Sequence, residues 1–153
     1  MKKLSHIDER GDASMVDVSN KPVLLREAVA RGEIRLHKET LRLVKSHQVA
    51  KGNVLATARL AGILAAKKTG ELVPLCHPLP ITHCEVLFEI PERSDRIIIT
   101  ASAKIAAQTG VEMEALMAVT IAALTIYDMC KAVDKKMRIT DVKLVLKKKA
   151  LKP

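Results

Sequence analysis

The chain has 153 residues and a formal net charge of +9, a length typical of one domain that folds without disulfides or a structural metal. Its longest uncharged run, from Ala115 to Tyr127, is shorter than the roughly 18 apolar residues of a membrane span. No apolar region of a signal peptide follows the basic N-terminus. Three cysteines without export signals indicate free thiols in a reducing compartment. We therefore predict a cytoplasmic protein that does not enter a membrane.

The positive charge favours an anionic partner. Single-stranded nucleic acid is normally bound on aromatic side chains, and this sequence has only Phe88 and Tyr127. No predicted helix carries the dense basic face that tracks the phosphates of a double helix. A small polyanion, such as a nucleotide or a pyrophosphate ester, therefore fits the composition better than nucleic acid does.

The first part of the chain predicts an arm followed by a short helix. Residues 1–20 are polar, mixed in charge and without periodicity, which is typical of a mobile arm, so residues 21–153 are predicted to form one domain. Pro22 is predicted to begin a helix that Gly32 ends. Ile34 then alternates with charged neighbours and predicts a strand.

The middle and end of the chain predict a helical region, two strands, a long helix and a last strand. The spacing is helical from Thr40 to about Thr69, and Asn53 is predicted to cap a second helical piece after a break at residues 51–52. Alternating apolar residues predict strands at 81–90, 96–105 and 137–146, and a long helix is predicted at about 111–133. This order predicts an α+β, ferredoxin-like (split βαβ) fold, an antiparallel sheet covered on one side by helices.

The long helix is apolar on two of its sides. One row at helical spacing is predicted to face the sheet, and a second row, which includes Glu114 and Asp128, is apolar in its middle. Since the domain's own sheet covers one side only, we predict that a second copy of the chain covers the other. The alternative is that the helix simply leaves apolar residues exposed. The rows are Leu116, Val119, Ala123, Ile126 and Cys130, and Glu114, Met117, Ile121, Leu124, Asp128 and Lys131.

Asp128 and Lys131 are three residues apart on this helix and can form a pair. Such a pair is by default a solvated ion pair of little consequence. Alternatively, partial burial would raise the pKa of Asp128 and lower that of Lys131, preparing an acid and a base for catalysis. Glu114 lies fourteen residues before Asp128, about 21 Å along a helix, so one small ligand can meet both only where two antiparallel copies come together.

Two Cys-His pairs, Cys76–His77 and His83–Cys84, suggest a metal site at first sight. Adjacent residues on an extended backbone point to opposite sides, and the usual spacing of zinc ligands is missing, so we predict no metal site. Cys84 is predicted to face the core from a strand, and Cys76 to be a small buried apolar residue. His77 lies in a rigid proline-rich connection, where it can present a donor to a ligand.

Five stretches of the sequence form a recognisable set: "MVDVS" (15–19), "KGNVLATARLAGI" (51–63), "PLCHPL" (74–79), "TGVEMEAL" (109–116) and "YDMCKAV" (127–133). The last two are long, unusual strings. Together they resemble the MoaC family, the cyclic pyranopterin monophosphate synthases of molybdenum cofactor biosynthesis, and the resemblance covers nearly the whole chain in the same order.

The resemblance implies a lyase that converts 3′,8-cyclo-7,8-dihydroguanosine 5′-triphosphate to cyclic pyranopterin monophosphate with release of pyrophosphate. The enzyme would act after a radical S-adenosylmethionine protein. It implies a ferredoxin-like subunit assembled into a hexamer, a trimer of dimers with active sites at the dimer interface. No resident cofactor is expected, and a magnesium ion accompanying the pyrophosphate is left open.

The matching motifs also imply roles for individual residues. Asp128, Lys131 and Lys51 would be catalytic. A second set would bind the substrate: Leu75, Cys76, His77, Glu112, Met113 and Glu114.

Closing a cyclic phosphate needs cations that meet developing charge. Lys21, Arg26 and Lys147 are the candidates, although each is equally an ordinary solvated charge. A basic, ferredoxin-like nucleic-acid-binding module is the alternative function.

Overall fold

The computed structural model describes residues 6–8, 10–93 and 95–151. A four-stranded sheet in the order β2-β3-β1-β4 forms one layer, and every neighbouring pair of strands is antiparallel. The chain order of strands and helices confirms the predicted α+β, ferredoxin-like fold. The strands are β1 (Leu24–Arg35), β2 (His83–Glu89), β3 (Arg96–Ala107) and β4 (Arg138–Ala150).

Helices cover one face of the sheet. They are α1 (Lys38–Lys45), α2 (Val54–Lys67), α3 (Thr69–Leu72) and α4 (Glu112–Cys130). The predicted break lies between α1 and α2, and the Asn53 side chain accepts a hydrogen bond from the N–H of Ala56 at 3.0 Å, which confirms the predicted cap. A Cβ atom on Gly62 would lie 2.8 Å from the Ala118 carbonyl oxygen, so glycine is what lets α2 approach α4 so closely.

The predicted helix from Pro22 to Gly32 is wrong, because this stretch belongs to β1. Its residues, rich in alanine, leucine, arginine and glutamate, are good helix formers, but β1 pairs along its length with β3 and with β4, and this pairing overrides local preference. Ala28 and Ala30 point to the core with a period of two. Gly32 lets α4 approach the sheet, since a Cβ atom there would lie 2.7 Å from Val119 Cγ1.

Helix α4 runs through the core of the domain. The row predicted to face the sheet is buried at Val119, Ala123, Ile126 and Cys130, and partly buried at Leu116. By length and composition α4 is also apolar enough to cross a membrane, but half of that stretch is buried inside the fold, as in the core helix of a water-soluble domain.

The second row of α4 is partly uncovered, in line with the prediction that the chain's own sheet cannot cover it. Met117 and Ile121 are partly exposed, and Leu124 is 51% exposed. Glu114, at the start of the same row, is instead buried. What covers the middle of this row in an assembly stays a prediction.

The end of the predicted arm contacts the domain at Val16 and Ser19, whereas residues 6–8 and 10–15 are exposed. Residues 1–5 and 9 of that arm lie outside the described residues. The Ser19 carbonyl accepts a hydrogen bond from Gln108 Nε2 at 3.1 Å, and the Val16 carbonyl oxygen lies 2.8 Å from His77 Nε2. The division into a mobile arm and a domain at residue 21 stays a prediction.

Candidate active site

A cavity of about 360 Å³ opens at the N-terminal end of α4. Four parts of the chain form its walls: the arm, the connection before β2, the segment from residue 109 through the first turn of α4, and the end of β4. The cavity brings together all six residues that the motifs predicted as substrate-binding, together with two of the three predicted cations. These are Leu75, Cys76, His77, Glu112, Met113 and Glu114, with Lys21 and Lys147.

The start of α4 is shaped by a glycine and an ion pair. A Cβ atom on Gly110 would overlap the carboxylate of Glu112, so glycine makes room for the present position of this flexible side chain. Lys147, near the end of β4, forms an ion pair with Glu112. This pair therefore joins the sheet edge to the helix across the mouth of the cavity.

His77 is oriented by the arm. Its Nε2 lies 2.8 Å from the carbonyl oxygen of Val16, and because a carbonyl can only accept, Nε2 must carry the proton in this contact. In the neutral ring, Nδ1 is then left as an acceptor. Gly70 of α3 packs closely against the proline-rich connection, since a Cβ atom on Gly70 would lie 2.8 Å from the Cα atom of Pro78.

Glu114 is the buried acid of the cavity, with 3% of its surface exposed. Burial raises the pKa of its carboxyl group, and the negative charge of Glu112 acts in the same direction, against a hydrogen bond from the helix backbone. Burial, followed by the charge of Glu114, also raises the pKa of the Cys76 thiol. A carboxyl group with a raised pKa keeps its proton to a higher pH than an ordinary glutamate and can serve as a proton donor.

A second cluster lies at the C-terminal end of α4. Lys51 Nζ is 2.9 Å from Asp128 Oδ2 and 3.0 Å from the Asp128 carbonyl oxygen, and Lys131 Nζ is 2.6 Å from Asp128 Oδ1. The three residues predicted as catalytic are therefore in contact, although Lys51 is 77 positions away from Asp128 in the chain.

Of the two interpretations of Asp128 and Lys131, the structure favours the solvated ion pair over a partly buried acid and base. Hydrogen bonds from Lys131 and then Lys51 lower the pKa of Asp128 to about 2, and the hydrogen bond to Asp128 raises the pKa of Lys131. The two side chains are 54% and 57% exposed, so pairing rather than loss of water sets their ionisation. In the single chain this cluster is a charged triad and not an uncharged acid with an uncharged base.

One chain does not bring the two ends of α4 together. The cavity residues lie in its first turn and Asp128 in its last, about 21 Å apart at the usual helical rise. Arg26 is also not among the cavity residues, because its guanidinium donates to the carbonyls of Ala107 at 3.2 Å and Gln108 at 2.9 Å. It secures the end of β3 beside the arm.

Sequence reasoning missed several residues of the cavity. Val16 and Val18 line it from the arm, and Asp17 fixes this turn by accepting from the Ser19 backbone at 2.9 Å and its hydroxyl at 2.6 Å. The stretch "MVDVS" was the available signal, since it belongs to the quoted motifs without a role. His6 also lines the cavity, and no pattern in the sequence marks it.

The two Cys-His pairs lie apart from any group of potential metal ligands. Within residues 6–8, 10–93 and 95–151, no three His, Cys, Asp or Glu side chains are grouped to hold a metal ion, and the absence of a metal stays a prediction. Cys84 is partly buried in β2 and packs on the core, whereas its neighbour His83 is exposed, as the alternation of a strand requires.

The fold and the cavity define a class of protein. A ferredoxin-like α+β domain carries a cavity with lysines, a histidine and a buried carboxyl group. These groups are typical of an enzyme that acts on a small anionic substrate.

The chain belongs to the MoaC family, whose sequence profile matches residues 15–150. It is 55% identical over 147 residues to the cyclic pyranopterin monophosphate synthase of Heliobacterium modesticaldum, covering 96% of this chain and 92% of the relative. It is 58% identical over 148 residues to that of Pelotomaculum thermopropionicum, covering 96% and 86%. It is 55% identical over 145 residues to that of Clostridium perfringens strain SM101, covering 95% and 92%. The family predicted from the motifs is thereby confirmed.

Proposed function

We propose that this protein converts 3′,8-cyclo-7,8-dihydroguanosine 5′-triphosphate to cyclic pyranopterin monophosphate and releases pyrophosphate, in molybdenum cofactor biosynthesis. The observation that carries the proposal is the cavity at the start of α4, where "PLCHPL" and "TGVEMEAL" meet. The similarity to relatives that carry this activity in their names, 55% and 58% identity over 96% of this chain, supports it.

The cavity has groups for both parts of the reaction. Opening the purine-derived ring and forming the pyran ring require proton transfers at nitrogen and oxygen, which Glu114 and His77 would perform in this proposal. In the phosphate step a ribose hydroxyl attacks the α-phosphorus, a new P–O bond forms, and the bond to the leaving pyrophosphate breaks. Lys21 and Lys147 would meet the charge that develops on the phosphates.

The active site is completed, in this proposal, by a second copy of the chain. Each site would take its His77 and Glu114 side from one chain and the Lys51, Asp128 and Lys131 cluster from another. The partly exposed row of α4, with Leu124 at its centre, is the surface on which two antiparallel helices would pack. Contact with a partner would also remove water from the exposed cluster and move the Asp128 pKa upward from its value near 2.

Assembly, partners and location follow the same proposal. Three such dimers would form a hexamer, and the substrate would come from a radical S-adenosylmethionine enzyme in the cytoplasm. No resident cofactor is proposed. Magnesium would enter, if at all, with the substrate's phosphates, so turnover in excess chelator measures its contribution.

The test is to supply the purified chain with the cyclo-dihydro-GTP intermediate and follow both products. We expect equimolar pyrophosphate and cyclic pyranopterin monophosphate, with GTP as the unreactive control. Release of neither product by a folded, assembled chain would refute the proposal. Tighter binding of short RNA than of guanosine triphosphate analogues in physiological salt would favour the nucleic-acid-binding alternative.

A further inference from the structure

A second cavity, of about 930 Å³, lies at the opposite end of the sheet from the candidate active site. Arg35 at the end of β1 and Arg138 at the start of β4 line it, together with Asp95 just before β3. The candidate active site takes Lys147 and Thr109 from the other ends of β4 and β3. Since a strand of 12 residues spans about 40 Å, no single small ligand reaches both cavities.

A row of three arginines crosses the sheet at this second cavity. Arg35 lies directly opposite Arg96 of β3 and opposite Arg138 of β4, so the three side chains share one face. Like charges in such positions repel and destabilise a sheet. Asp95 offsets the first two, through ion pairs of 3.3 Å with Arg35 and 3.2 Å with Arg96. Arg138 has no ion pair in the described part of the chain. A bound anion would offset the repulsion between Arg138 and Arg35.

Two lysines add to this unbalanced charge. Lys38 and Lys136 line the cavity, and neither forms an ion pair with the residues that the structure describes. The remaining carboxylate of the wall, Glu39, is already paired with Arg42 at 2.7 Å. Both acidic side chains of the wall therefore have arginine partners, and Arg138 and the two lysines are left for a ligand.

A buried carboxylate fixes the backbone that carries these lysines. The Asp134 side chain accepts hydrogen bonds from the N–H of His37 at 2.7 Å, the N–H of Lys136 at 3.0 Å and the hydroxyl of Thr40 at 3.2 Å. It is fully buried, and the His37 ring lies 3.7 Å from it. Its own charge is thus engaged by the protein, while the segments of Lys38 and Lys136 are held together before any ligand arrives.

We propose that this second cavity binds a small polyphosphate anion, either inorganic triphosphate or the phosphate chain of a nucleotide. The Arg138 guanidinium is suited to grip phosphate oxygens in pairs, and the ammonium groups of Lys38 and Lys136 act as point charges beside it. The volume is sufficient for a nucleotide-sized ligand. The proposal does not depend on the reaction assigned to the first cavity.

The test is calorimetric titration of the full chain with inorganic triphosphate at about 150 mM salt. The variant Lys136→Gln/Arg138→Gln should lose one class of sites, with binding at least about tenfold weaker. The control, Lys143→Gln/Lys148→Gln, removes the same charge from exposed positions of β4 and should bind as the wild type does. Lys147→Gln, which alters the first cavity, should keep the second class of sites.

A second variant is expected to strengthen triphosphate binding instead of weakening it. Glu39→Gln removes a carboxylate from the wall and should tighten triphosphate binding. Titration with GTP alongside triphosphate distinguishes a nucleotide from a free polyphosphate, and either one supports the proposal.

Three results would overturn the proposal. The first is equal loss of binding in Lys136→Gln/Arg138→Gln and in its control. The second is disassembly of the protein by the cavity variant, which would identify an interface between copies. The third is tighter binding of short duplex RNA than of triphosphate at this cavity.

Discussion

The two ends of α4 carry ionisable groups whose pKa values are shifted for different physical reasons. At the N-terminal end, Glu114 is enclosed by its own chain, and burial raises its pKa. At the C-terminal end, Asp128 is exposed between Lys51 and Lys131, and their hydrogen bonds lower its pKa. The first end is a formed cavity, whereas the second is an exposed cluster. In the shared site proposed above, the first end is the half that is already formed, and the second is the half that a partner would complete.

The largest effect is expected from breaking the exposed cluster. Asp128→Ala or Lys131→Ala should lower turnover by about 10²- to 10⁴-fold, the usual contribution of a positioned acid or base. Because both side chains are exposed in the single chain, folding should change little. Assembly should also persist, because in the proposal two copies pack on the apolar row of α4. Steady-state kinetics, thermal unfolding and light scattering measure the three quantities.

The matched control is Arg42→Ala. Arg42 belongs to another exposed ion pair three residues apart on a helix, with Glu39 at 2.7 Å, and its loss should leave turnover at the wild-type value. Near-normal turnover of the Asp128 or Lys131 variant would show that this residue has no catalytic role and only forms a surface ion pair.

Mixing inactive variants tests whether one site uses both ends of the helix from different chains. Glu114→Ala and Asp128→Ala proteins, combined in equal amounts under subunit exchange, should recover about a quarter of wild-type turnover. Half of the dimers are mixed, and each mixed dimer has one unmutated site and one doubly mutated site.

Lys51→Ala mixed with Asp128→Ala is the control for this experiment. Both lesions then lie in the same cluster, so every site in a mixed dimer has one defect and no activity should return. If isotope-labelled chains are shown to exchange and the Glu114 and Asp128 mixture still stays inactive, the shared-site proposal fails.

A smaller effect is expected from the start of α2, two residues after Lys51. Asn53→Ala removes the cap on Ala56 and should lower the free energy of unfolding by about 1 kcal/mol. Asn53→Asp retains an accepting oxygen and should remain close to the wild type. Denaturant titration measures both variants, and an Ala variant as stable as the wild type would show that the cap does not hold this end of the helix.

The smallest effect is a difference in how stability depends on pH at the two ends of α4. Glu114 has a raised pKa in the folded state, so its contribution is complete below its ordinary value of 4.5 and is lost as the pH rises through the folded value. Asp128 behaves in the opposite way. Its contribution is present above 3.8 and is lost as the pH falls toward about 2.

Variants separate these two contributions. Relative to the wild type, Glu114→Gln should gain stability as the pH rises, whereas Asp128→Asn should lose its disadvantage as the pH falls toward 2. Unfolding by denaturant across a pH series, at constant protein concentration, measures both. Glu85→Gln, an exposed change of equal charge on β2, is the control. The same sign of slope for both variants would contradict the assignment.

The sequence predicted those parts of the fold in which local preference and packing agree. The β-branched run Ile97–Thr100 and the alternating residues of β2 occupy strands as expected. The first half of β1 was mispredicted because Ala28 and Ala30 contribute to a core through close packing, which a short alanine pattern does not reveal. Pairing on both sides of a central strand is information from distant parts of the chain.

For the site, motifs located residues better than they predicted ionisation. They identified His77 and Glu114, and the structure places both at one cavity. Helical spacing also placed Asp128 next to Lys131, but spacing does not show whether water reaches the two side chains, so it left a solvated ion pair and a partly buried pair both open. The guanidinium of Arg26 faces backbone carbonyls, a partner that side-chain patterns do not include.

The 19 residues of α4 also set a limit on how this chain can vary. In the proposed dimer, each end of α4 contributes half of a different active site. The length of the helix then fixes how far apart the two sites lie and how two copies must dock. Inserting seven residues, close to two turns, would shift the halves by about 10.5 Å while nearly preserving the core-facing pattern, so a variant could fold and still assemble without a usable site. The turn between β2 and β3 bears no such constraint. Tolerance to insertion should therefore be low within this helix and high in that turn.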